Sequence, residues 1–112
     1  MTIRPKMAEV FPVLSQEIAD LLIRDEHEEL AGQIPNLAIE QCCTCGDEFC
    51  TSFYTVPPPK GSWGPGHRNI VLGAEEGMLV LDVVDDAIVY VEVLDRPEVR
   101  PAFENLKGRS GG

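Results

Sequence analysis

The sequence predicts an α+β domain: an N-terminal helix, or helix pair, packed on a mostly antiparallel sheet of four or five strands, with a short C-terminal helix. Three observations carry this. Val10, Phe11, Leu14, Ile18, Leu21 and Leu22 recur at helical spacing and form one apolar stripe. Valine-rich runs of strand length, Met78 to Val84 and Ala87 to Leu94, follow in the second half. Arg96-Pro97-Glu98 then opens a second helical pattern carrying Val99, Phe103 and Leu106. At 112 residues the chain is long enough for one core without staples. The expected division is a loose leader over residues 1–9, a single domain over 10–106 and a flexible tail over 107–112, ending in Gly111-Gly112.

Pro12 suits the first turn of the N-terminal helix, where no backbone donor is needed. Asp25-Glu26-His27-Glu28 has capping-box spacing and starts a second short helix that Gly32 ends. Pro35-Asn36 breaks the chain before the sheet. Leu37 to Cys43 and Phe49 to Val56 read as strands joined by a turn at Gly46-Asp47, and Asn69 to Leu72 as a short third strand. Asp85-Asp86 closes the last two strands as a two-residue hairpin.

Strict alternation through that hairpin places Leu79, Leu81, Val83, Ile88 and Tyr90 on one face and Val80, Val84, Ala87, Val89, Val91 and Val93 on the other. Two apolar faces each need a cover. The helices supply one, and Trp63 with its loop, or a symmetric partner in a homodimer, supplies the other. Asp82 interrupts the valine face and is expected at an edge or hydrogen-bonded.

The unusual chemistry lies between Cys42 and Asn69, which hold all four cysteines and the only tryptophan. Cys42-Cys43-Thr44-Cys45-Gly46, with two residues between Cys42 and Cys45, has the outline of a zinc knuckle, in which a tight turn presents thiolates to a metal. Alternation puts Cys43 toward the core with Leu37 and Ile39, so the expected ligand set is Cys42, Cys45 and Cys50, with His67 completing it. Buried free thiols with no metal, or a Cys42–Cys45 redox pair, are the competing readings. The long Pro/Gly loop, 57–68, exceeds what a compact domain needs for a connection. Its Trp63, His67 and Arg68 form a candidate binding set: an aromatic anchor, a titratable ring and an anion clamp.

The balance of 19 Asp and Glu against 9 Lys and Arg gives a net charge of −10, which repels nucleic acid and favours a basic protein partner. No segment reads as a membrane span or signal peptide, so a cytoplasmic home is expected, where thiols stay reduced. No nucleophile elbow or phosphate-binding glycine motif is present, and the reading leans away from an enzyme. Two functions remain. One is a non-enzymatic binding or regulatory protein, in the manner of an inhibitor or immunity protein. The alternative is a zinc- or thiol-dependent protein using the cluster between Cys42 and Cys50.

Overall fold

The computed structural model describes residues 4–110. Helices at both ends of the chain pack against one five-stranded antiparallel sheet, the α+β arrangement the sequence predicts. Residues 4–9, read from sequence as a loose leader, join the domain. Lys6 bridges to Ala38, and Met7 is fully buried at the start of α1, Met7–Val10. A single apolar side chain accounts for this, because burying one of that size is worth about 1.5–3 kcal/mol. Residues 1–3 and 111–112 lie outside the described part. The predicted flexible tail is helical through Ser110.

Phe11 separates α1 from α2, Pro12–Arg24, where Pro12 sits in the first turn and Leu14, Ile18 and Leu22 face the core. The capping box at Asp25–Glu28 does not form. The chain reverses sharply, with Glu26 at φ 65°, the His27 N–H bonds the Leu22 carbonyl at 2.7 Å, and α3 spans only Glu28–Ala31. A 3-10 turn at Ile34–Asn36 then leads into the sheet.

The strands are β1 (Gln41–Cys42), β2 (Phe53–Tyr54), β3 (His67–Leu72), β4 (Met78–Val84) and β5 (Ala87–Leu94), in the order β1-β2-β5-β4-β3. The first two are far shorter than the runs that predict them: residues 37–40 and 43 of the first run, and 49–52 and 55–56 of the second, lie outside the two-residue strands. β4 and β5 form the expected hairpin. Asp85 and Asp86 both adopt positive φ, 49° and 66°, as a twist-matched two-residue turn requires. A final helix, α4, runs from Arg100 to Ser110.

The hairpin corrects the predicted faces. Val83 pairs with Ile88, but Asp82 pairs with Tyr90 and Leu81 with Val91, leaving Val89 as an extra residue on β5. One inserted residue inverts the parity of everything beyond it. Val91 and Val93 therefore join Leu79, Leu81, Val83 and Ile88 in the core, and Tyr90 with Glu92 turns to the other side. Leu14, Ile18 and Leu22 of α2 and Phe103 and Leu106 of α4 belong to that same core, so both helical layers cover one face. Among the described residues no helix of that core lies on the opposite face. Beside the expected Asp82 it carries Tyr90 and Glu92 where alternation placed Val91 and Val93, which removes much of the apolar surface that called for a symmetric partner.

Candidate functional site

The Cys-rich segment folds as a loop stapled at several points to the sheet and to α4. The Cys43 N–H donates to the Ser52 carbonyl at 2.8 Å, and the Cys50 N–H to the Asp47 carbonyl at 3.2 Å. Cys50 bridges to Leu94 of β5, and the Asp95 N–H bonds the Phe49 carbonyl at 2.9 Å. From α4 the Arg100 guanidinium donates to the carbonyls of Asp47 (3.2 Å) and Cys50 (3.3 Å). Gly46, at φ 82°, supplies the reversal that folds the two halves of the loop together.

These restraints bring the sulfurs of Cys43, Cys45 and Cys50 within 4.8 Å of one another. All four cysteines are free thiols. Cys50 is buried, with its sulfur 3.3 Å from the Ser52 hydroxyl; Cys43 is half-buried and Cys45 exposed. The cluster is thus closed at one end and open to solvent at the other.

Of the ligands expected from sequence, the structure brings Cys45 and Cys50 together, and puts Cys43 where Cys42 was expected. Cys42 packs instead against the hydrophobic core. Burial pushes its thiol up from the ordinary range, and the Lys107 ammonium of α4 offsets part of the rise. The exchange has a local cause. Ile39 is buried in the core and Cys42 packs against it although they lie three positions apart, so strict alternation fails between them. His67 is outside the cluster: its Nε2 lies 3.0 Å from Asp82 Oδ1.

The helix-free face holds a second set of groups next to the cysteines. Tyr90 lies against Cys43 and Ser52; burial foremost, then the Cys43 thiol, raises its phenol above the normal range. Its ring lies 4.5 Å from that of Tyr54, tilted by 56°; Tyr54 is 6.2 Å from Trp63, and Trp63 is 6.4 Å from His67. Asp82 closes the row, accepting bonds from His67 and from the Asn69 amide, which fulfils the expectation of a hydrogen-bonded acid. Trp63 is half-buried against these rings, so the loop covers part of the open face.

Arg68 does not join Trp63 and His67. It has the opposite parity on β3, pairing with Val83, and its guanidinium reaches the exposed Asp86 at 3.2 Å. Tyr54, Tyr90 and Asn69 were not singled out from sequence. Period-two alternation finds Asn69 through His67, but Tyr90 changes face only because of the bulge. No family model, curated protein or solved structure matches the chain. Among the described residues, no helix is long and apolar enough to cross a membrane.

Proposed function

We propose that the protein is a small, non-enzymatic binding protein of the cytoplasm whose Cys43–Cys50 loop is fixed by a zinc ion on Cys43, Cys45 and Cys50. The observation that carries this reading is the convergence of three sulfurs within 4.8 Å. Tetrahedral zinc with Zn–S bonds of about 2.3 Å holds its sulfurs roughly 3.8 Å apart, so the loop needs to close by about 1 Å at most. Thiolate is the ligand type that selects soft or borderline metals over magnesium or calcium. The fourth position faces solvent beside the exposed Cys45, where water, a nearby carboxylate such as Asp47 or a partner's side chain can complete the tetrahedron.

Zinc also answers an energetic question. The loop is built around polar and charged residues and lacks a core of its own, with Thr44, Cys45, Asp47, Glu48 and Phe49 all exposed. A metal that joins Cys43 and Cys45 to Cys50 replaces that missing core, because metal-binding free energy appears directly as folding free energy. Four unpaired thiols suit a reducing compartment. Protein purified without added zinc is expected to carry about one equivalent, and a strong chelator to lower its melting temperature reversibly. Metal-free protein whose melting responds to neither chelator nor zinc would sink the proposal.

A further inference from the structure

We infer that the open face of the sheet is a docking surface for an arginine-bearing segment of a partner protein. The inference stands apart from the metal reading, because the row of side chains it uses does not include the cysteines. Tyr90, Tyr54, Trp63 and His67 follow one another at ring separations of 4.5, 6.2 and 6.4 Å. The rings are tilted by 45–56° to their neighbours along the row, so it is rich in aromatic edges and faces, and a guanidinium stacks on π faces better than any other side-chain cation.

The charges on the face agree. Asp82 and Glu92 both lie on it, and no Lys or Arg occupies a strand position of that parity. Asp82 keeps an acceptor for an incoming donor: the bonds from His67 and Asn69 both end on Oδ1, and no described bond reaches Oδ2. The exposed Val71 and Met78 (68% and 48%) continue the surface and suit the aliphatic stem of an arginine or a neighbouring apolar residue. A second copy of this chain is the wrong partner for the same reason an arginine is right. It would bring another Asp82, another Glu92 and a net charge of −10 against their equals.

The test titrates the intact protein with a hexa-arginine peptide at about 0.15 M salt, which screens diffuse attraction. Fluorescence of Trp63, the only tryptophan, reports binding at the face. Saturable binding is expected. Asp82→Asn and Tyr54→Leu should each weaken it by about threefold to thirtyfold, the range for one desolvated cation–π or charge contact. Tyr54→Leu keeps apolar bulk on the strand while removing the π face, and far-UV circular dichroism confirms that each variant is folded. Glu29→Gln removes the same unit of charge from α3, away from the face, and should change affinity by less than about twofold. Equal weakening by Glu29→Gln and Asp82→Asn would overturn the inference, since it would reduce binding to net charge. So would unchanged affinity in Tyr54→Leu, or sedimentation showing a dimer that no longer takes the peptide.

Discussion

The two faces of the sheet share the same strands and differ in almost everything else. On the covered face Leu79, Leu81, Val83, Ile88, Val91 and Val93 are all at most 2% exposed. On the open face Tyr54 and Tyr90 are half-buried, while Val71 and Met78 are 68% and 48% exposed. One face holds the molecule together, and the other gathers the aromatic rings, the His67–Asp82 pair and the three clustered thiols. Two small irregularities sort the residues between them. The extra Val89 sends Val91 and Val93 inward and Tyr90 and Glu92 outward. The broken alternation between Ile39 and Cys42 sends Cys42 toward the core and leaves Cys43 for the cluster. A valine-rich sequence thus yields a sheet with one dry face and one open face because of where single residues break the period.

Val91→Glu breaks this comparison most severely. The extra Val89 turns Val91 inward, where it is fully buried. The expected outcome is a chain without cooperative thermal unfolding, because a buried unpaired carboxylate alone costs several kcal/mol against a total stability of about 5–15. A cooperative transition near the parent's would show that position 91 faces outward, as strict alternation without the bulge has it.

Neighbours on β2 sharpen the contrast. Phe53 is fully buried and stacks on Phe11 at 5.5 Å, whereas Tyr54 is half-buried on the open side. Phe53→Ala should cost about 3–5 kcal/mol in urea unfolding. Tyr54→Ala should cost about 1 kcal/mol or less, the worth of an aromatic cross-strand pair. Comparable losses would mean that the open face carries as much stability as the covered one.

Arg96 tests how the covered side is clamped. It is 9% exposed, and its guanidinium makes bonds of 3.0 and 2.5 Å to Glu17 of α2 and one of 2.7 Å to Glu98. Arg96→Met should cost about 2 kcal/mol, because Glu17 keeps part of its solvent when left alone. Arg96→Lys should recover little of it, lacking the two-pronged geometry.

The smallest effect is a pH dependence. Hydrogen bonding to Arg96 holds the Glu98 carboxyl below its ordinary value. Its contribution is therefore present at neutral pH and lost as the pH falls through that depressed value. Glu98→Gln should lower the urea midpoint slightly at pH 7, and the gap should close as the pH falls through that depressed value and the parent's carboxyl becomes neutral too. A gap that stays constant down the acid titration would contradict the ion-pair account.

Much of the scaffold is legible in the residues themselves. The helical stripe through Leu14, Ile18 and Leu22, Pro12 in the first turn, the Asp85-Asp86 hairpin and the bonded Asp82 all follow from local rules. The face assignments do not, because a bulge leaves no mark in a run such as Ile88-Val89-Tyr90-Val91, where every residue favours a strand. The site was legible as a region and not as a ligand set. Cysteine spacing marked the loop, but choosing Cys43 over Cys42 depends on how two-residue strands seat on β5, a tertiary property. His67 looked like a fourth ligand by residue type alone. Its place on β3, opposite Val84 and bonded to Asp82, takes it elsewhere. Met7 escaped notice because an isolated methionine has no period to reveal it.

Adjacent cysteines on opposite sides of the sheet give the most direct measurement. Cys42→Ser and Cys43→Ser are purified in parallel without added zinc, and bound metal is counted in each alongside the parent. The account predicts that Cys42→Ser keeps the parent's metal content, since its side chain packs against the core, while Cys43→Ser loses most of it. Metal retained by Cys43→Ser and lost by Cys42→Ser, or no metal in the parent, would contradict it.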